Sequence, residues 1–455
     1  MKQMKEIWNK YYDYLIIALI YGLLHVFMHT DYWDDAKMST VLASYNYNLI
    51  AYLNNVWHNW GSTIFLLGTE SVIEALPDYI WKVLDVLMIE IIYHNLSRTV
   101  RRLTADSPTS AFPVRIWLLL FFFCIPYSLF ASAGWMTTTI AYVWTFAAFF
   151  YILNVFLAAS QGGEIKLHTY VIFGLAVIYC SNCNLVSAAV FVIFLYLFII
   201  CGSKTTSLRI LFAQAMFGSI LNIIMFIISP GNLSRNMRDA EFHDTGDMLN
   251  LSFMGHIRMG VNSAFYHFTS VPNIILFTFC LLLIVCTFYQ TKKLLVRAIS
   301  CLPLALDLFW SGYLFFAYTI PNRTLTYTYP DAAFQVCPEG EQILAMICAL
   351  IMVLSICYLL AYLTGFSTLS WFMIGCLLVL GLLPNVALGF TTTVSASVMR
   401  TAMFFYFSLV LCACILMTVH GILRRRWWRI AFYVLGGLGM LLNILQVIRH
   451  IMVYG

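Results

Sequence analysis

The chain has 455 residues, of which 62% are hydrophobic and only 10% charged, and its mean hydropathy is +0.85. A water-soluble globule of this size needs far more polar surface, so the composition excludes one and predicts an integral membrane protein. The formal net charge of +5 is spread over many loops and leaves no basic stripe for nucleic acid.

Apolar runs of about 20 residues recur from end to end, the length that crosses a hydrocarbon core of roughly 30 Å. Lipid offers no partner to backbone N–H and C=O groups, so the spans must be helices; the alternating strand pattern of a barrel is absent. The predicted fold class is therefore all-α, a single polytopic transmembrane domain over 1–455 with about 13 transmembrane helices. In chain order the spans are expected at 13–30, 79–97, 115–132, 139–159, 168–182, 184–201, 209–228, 272–290, 298–318, 342–363, 369–387, 401–423 and 429–450.

Lys2, Lys5 and Lys10 precede the first run, LIIALIYGLLHVFM at 15–28. The residues just beyond it are bulky and acidic rather than a small-residue cleavage site, so the run reads as a span and not as a secretory signal. With the N-terminus cytoplasmic, the inner loops collect Arg98, Arg101, Arg102, Arg115, Lys166, Lys204, Arg209, Lys292, Lys293 and Arg297, then Arg424, Arg425, Arg426 and Arg429. That is the distribution the positive-inside rule requires. The long segments, 31–78, 229–271 and 319–341, fall on the opposite side and hold many of the acids. Long loops carry function where short ones connect, so the working face is expected to be extracytoplasmic.

Directly after the first run comes HTDYWDDAK, 29–37, with three carboxylates, Asp31, Asp34 and Asp35, at the lip of the membrane. Segment 38–78 is too polar to span; its mixed helical spacing, Trp57, Trp60 and several tyrosines predict interfacial helices roofing a cavity. Asp34 and Asp35 then stand at the cavity mouth, where partial loss of water raises a carboxylate pKa and makes it a useful proton acceptor. His25 and His29 share a helical face beside these acids, a spacing that suits a divalent cation. His25 lies at bilayer depth and no HExxH-type partner exists, so no metal and no cofactor is expected.

The CSNC at 180–183 has redox spacing but ends a span without a second pair, and reads as ordinary buried thiols. Asp85, Glu90 and Asp307 lie within spans and must face protein or water; Lys82 is within reach of Asp85 three residues on. Arg235, Arg238, Arg258, Arg323 and Arg400 run against the positive-inside rule, most of them close to a span end. A guanidinium there suits a phosphate or carboxylate, which it grips through two parallel hydrogen bonds. The alternative is pairing with Asp239, Asp244, Asp247 or Asp331.

Five short elements together resemble a bacterial multi-span membrane family similar to the GtrII-type and other GT-C glycosyltransferases. They are the Asp-Asp pair after the first span, WHNWG at 57–61, GWMTTTIAYVW at 134–144, SPGNLSR at 229–235, and an arginine before a late span, Arg400. The resemblance implies a GT-C-like enzyme of the bacterial plasma membrane that moves a sugar from a polyprenyl-phosphate carrier to a glycan or lipid acceptor of the cell envelope. It implies Asp34 and Asp35 as the catalytic pair, one taking the acceptor proton and the other orienting it. The outer arginines would stabilise the departing lipid phosphate, and His58, Trp60 and Trp135 would join them in binding substrate. The chain departs from the family pattern at CSNCN, 180–184, which lacks a glutamate, and at Ser62 and Thr63, which stand where an arginine belongs; either Glu70 or Glu74 substitutes, or the acceptor differs, or this copy is impaired.

Two other readings use the same features. A transporter or flippase for lipid-linked sugars needs the cavity and the arginines but no base. A polysaccharide polymerase or ligase relies on large central outer loops, and 229–271 carries His243, His256 and His267.

Overall fold

The computed structural model describes residues 2–31, 33–105, 111–202, 205–242, 250–270, 273–314, 339–391 and 394–454. Among them the chain is helical throughout, with one isolated bridge between Ser132 and Gly134 and no strand. Among the described residues seven helices are long and apolar enough to cross a bilayer, and an eighth span arises if the pair Phe253–Thr269 and Ile274–Gln290, bent by 87°, counts as one. The protein is a multi-pass helical membrane protein. It divides into two compact units, the first made of Met1–Ala105, Ser110–Leu233 and Met440–Gly455, the second of Asp106–Thr109 and Ser234–Gly439.

In the first unit, α1 (Lys2–Val26) runs into four helices of the first outer segment: α2 (Trp33–Met38), α3 (Val41–Ser44), α4 (Leu49–Asn59) and α5 (Ile64–Glu74). Beyond them come α6 (Asp78–Leu103), α7 (Ala111–Phe122), α8 (Trp135–Ser160), α9 (Leu167–Ser181), α10 (Asn184–Cys201) and α11 (Thr206–Ile228). The central element is α8, apolar on all sides and flanked by α6 and α9; α9 and α10 lean on α11, and α1 lies along α6. On α1 the exposed Leu15, Leu19 and Leu23 repeat every fourth residue, which makes one continuous greasy stripe for lipid.

The expected span 115–132 is broken. Helix α7 stops at Phe122, Pro126 cannot continue a helix, and a 3₁₀ turn covers Tyr127–Ala131. Irregular backbone in an apolar surrounding must still find hydrogen-bond partners. Asn443 supplies them: its amide donates to the carbonyls of Phe123 and Ile125 at 2.8 and 2.7 Å, and its Oδ1 accepts from the Tyr127 N–H at 2.8 Å.

Within the same unit a polar knot joins α1 to α6 and α8. Asp85 Oδ2 lies 2.8 Å from His25 Nε2, and Asp85 Oδ1 accepts from the Trp144 indole at 2.7 Å. His25 Nδ1 donates to the Tyr21 carbonyl at 2.7 Å. Lys82 does not serve Asp85; it pairs with Asp78 at 2.8 Å, the i,i+4 partner that a helix places on the same face. A second knot gathers Arg115 and the Tyr93 hydroxyl on the buried Asp13.

The second unit holds α12 from Ser234 onward (the helix begins in the first unit, Pro230–Phe242), α13 (Phe253–Ser270), α14 (Ile274–Gln290), α15 (Leu294–Leu314), α16 (Glu339–Leu363), α17 (Thr368–Phe390), α18 (Val394–Val419) and the first half of α19 (Arg426–Tyr454). Its core is α18, packed on α13, α14 and α17. A π-helical stretch, Cys376–Leu382, interrupts α17, and α18 compensates: Ser408 donates to the Cys376 carbonyl at 3.0 Å, and Thr401 donates to Asn385 Oδ1 at 2.9 Å.

Candidate functional site

The segment after α1 is shaped by one strained residue. Trp33 takes φ +53, a left-handed conformation that a bulky side chain adopts only when its surroundings enforce it. The enforcing contact is adjacent, where the Asp34 N–H donates to the Ala133 carbonyl at 3.0 Å. The turn presents the two acids oppositely: Asp34 is exposed, whereas Asp35 is 1% exposed.

Asp35 reaches the start of α8. Its Oδ1 accepts from the Thr137 N–H at 2.9 Å and its Oδ2 from the Met136 N–H at 3.1 Å, so it caps the positive end of a long buried helix from outside that helix. Burial pushes its pKa up to about 6, against the pull of the two backbone N–H groups and with a further push from Asp34. Gly134, at φ +122, gives this approach its room, since a Cβ there would meet the Asp35 carboxylate.

Glu70 and Glu74 lie one turn apart on α5, both buried. Glu74 Oε1 accepts from the Thr137 hydroxyl at 3.0 Å. Burial, then the charges of Glu70 and Asp35, raise the Glu74 pKa far above the usual carboxylate range. Asp35, Glu74 and the start of α8 thus meet on Thr137, a residue that nothing in the run GWMTTT singles out.

The start of α5 is held by a side chain equally silent in the sequence. Asn182, the polar residue of CSNC, accepts from the N–H groups of Phe65 and Leu66 at 2.9 and 3.1 Å and donates to the Ser62 carbonyl at 3.1 Å and to Asn222 at 2.8 Å. Cys180 and Cys183 beside it are buried. Gly231 of SPGN lies directly on the backbone of Trp57, Trp60 and Gly61; Ser229 donates to the Trp57 carbonyl at 2.9 Å. An apolar hollow of about 380 Å³ opens between α4 and α5, lined by Leu49, Leu53, Ile64, Phe65, Gly68, Thr69, Val72 and Ile73.

The other candidate residues are scattered over both units. His58 is exposed, with Nδ1 turned back 2.8 Å from the Asn54 carbonyl of its own helix. Trp60 is half-buried, with the Lys37 ammonium 5.8 Å from its ring. Trp135 is fully buried between Tyr127 and His450 and serves as a packing post for the start of α8. Arg235 pairs with Asp239 at 3.1 Å and Arg258 with Glu339 at 2.9 Å. The carboxylate of Glu339 is well exposed, so its pair with Arg258 contributes no more than about 1 kcal/mol, whereas Arg235 and Asp239 are both half-buried. Arg238 is exposed and Arg400 half-buried. All four belong to the second unit; Arg323 lies outside the described residues, as does most of the expected loop 319–341. His25 has both ring nitrogens engaged, and among the described residues no group of three or more His, Cys, Asp or Glu is arranged to hold a metal ion.

Compared with protein-family models, with curated proteins and with solved structures, the chain matches none.

Proposed function

We propose that the protein is a GT-C-type glycosyltransferase of a bacterial plasma membrane. It moves a sugar from a polyprenyl-phosphate donor to a glycan or lipid acceptor of the cell envelope on the extracytoplasmic face. The observation that carries this reading is a convergence. WHNWG at 57–61, the start of α8 at Gly134–Thr137, Asn182 and SPGN at 229–232 all pack around the same short helices beyond α1, with Asp34 exposed beside them. The start of α8 fixes Asp35 and the turn at Asp34 directly, and Asn182 and SPGN fix the neighbouring helices that bring Glu70 and Glu74 beside them, an arrangement that suits a reacting group held in place.

In this mechanism the acids divide their work. Asp34, exposed, takes the proton from the acceptor hydroxyl as it attacks the anomeric carbon. Asp35, with both oxygens engaged, fixes the turn that carries Asp34. The bond from the anomeric carbon to the phosphate oxygen breaks, and the polyprenyl phosphate leaves with the electron pair. As the sequence resemblance implies, guanidinium groups are proposed to meet that charge.

The test is transfer by purified protein from polyprenyl-phosphate sugars to acceptors in a membrane extract. Asp34→Asn is expected to abolish it. Transfer that survives both Asp34→Asn and Asp35→Asn removes the mechanism; no transfer by wild type, with movement of the lipid-linked sugar across the bilayer intact in both variants, favours a flippase, which needs no base.

A further inference from the structure

Thr137 stands between two carboxyl groups, donating its N–H to Asp35 and its hydroxyl to Glu74. The other oxygen of Glu74, Oε2, is closed off from solvent and has no hydrogen-bond partner. Ionisation would spread negative charge over both oxygens, and a buried charge with no donor beside it is strongly disfavoured. A protonated acid leaves only a neutral hydroxyl at that point, a far smaller penalty.

The surroundings act in the same direction. Facing Glu74 are Glu70 on its own helix, Asp34 and Asp35 on α2, and the Tyr52 hydroxyl on α4. From α6, Asp78 and Lys82 pair with each other. No Lys or Arg among the described residues lies within ion-pair distance of Glu74. Four carboxyl groups in one another's field are not all ionised together, and Glu74, whose buried Oε2 has no donor to receive the charge, is the one that keeps its proton.

We propose that Glu74 is a positioning residue of this site, a standing neutral acid that holds Thr137 under Asp35 and leaves Asp34 as the exposed negative charge of the loop. Its effect on transfer rests on the glycosyltransferase reading; its protonation does not. The raised pKa of Glu74 agrees with this assignment.

Two measurements on the full chain separate those claims. Infrared difference spectra of wild type against Glu74→Gln, recorded from neutrality to about pH 9, report the carbonyl stretch of a protonated carboxylic acid without any substrate. A band present in wild type and missing from the variant is expected; identical spectra overturn the proposal. In the transfer assay, Glu74→Ala is expected to lose about tenfold or more and Glu74→Gln, which keeps a neutral group accepting from Thr137, to recover to within about threefold of wild type. A Gln variant as impaired as the Ala variant, or one that fails to fold, also overturns it. If wild type transfers no sugar while the band behaves as expected, the glycosyltransferase reading falls and the neutral Glu74 stands.

Discussion

The Asp35 carboxylate fills the space that a Cβ on Gly134 would occupy. The two residues are far apart in the chain, yet neither can change alone: the glycine sits at φ +122, and the acid caps the helix beginning at the next residue. Gly134→Ala combines backbone strain with displacement of that cap. A loss of roughly 2 kcal/mol or more is expected, read as a lower melting temperature in detergent, together with loss of transfer.

Asp34 and Asp35 should fail differently. Asp34→Asn removes an exposed group and is expected to leave the melting temperature unchanged while stopping transfer. Asp35→Asn replaces one of the two oxygens that accept the Met136 and Thr137 N–H groups with an NH2, leaving one cap donor unserved, with an expected cost of about 1 kcal/mol seen in the same melting experiment. Equal melting temperatures for the two variants would contradict the division of roles.

Asn443 serves three backbone groups where α7 ends. Asn443→Leu keeps the branched shape of the side chain and removes all three hydrogen bonds, so the expected loss is on the order of 3 kcal/mol. Thermal unfolding monitored by tryptophan fluorescence measures it. A neutral substitution would mean that water or lipid headgroups reach this turn.

His25 and Asp85 form a buried pair with Trp144 as third partner. Removing the imidazole strands the carboxylate, whereas Asp85→Asn leaves hydrogen bonds in place. His25→Phe is therefore expected to destabilise by roughly 3–5 kcal/mol and Asp85→Asn by clearly less. Expression level and melting temperature of the two variants report the order.

Stability should fall as pH rises. The Asp35 pKa moves from an ordinary 3.8 to about 6 and that of Glu74 from 4.5 to about 10. The folded chain therefore binds more protons than the unfolded one between those limits, and the stabilisation present at acid pH is lost through them. A melting profile that slopes downward from pH 6 toward 10 in wild type and flattens in Glu74→Gln is expected.

How much of this was legible depended on the range of the interaction. The helical membrane class comes from composition, and the position of Asp34 and Asp35 at a helix end comes from a charge pair beside an apolar run. The break after Phe122 carried a local signal, Pro126, which the apolar residues around it outweighed. Lys82 was within reach of two acids, Asp78 and Asp85, and only the packing of α1 shows that Asp85 is taken by His25. Thr137, Asn182 and Asn443 were invisible for the same reason: each serves backbone or carboxyl groups of a distant segment, and no local periodicity records such a partner.

The stitching by Asn443 also sets an order of events during synthesis. Phe123, Ile125 and Tyr127 leave the ribosome more than 300 residues before the side chain that completes them. Until the final helix is inserted, that turn must borrow partners from water or from the insertion machinery, so the wall of the first unit closes last although it is translated first.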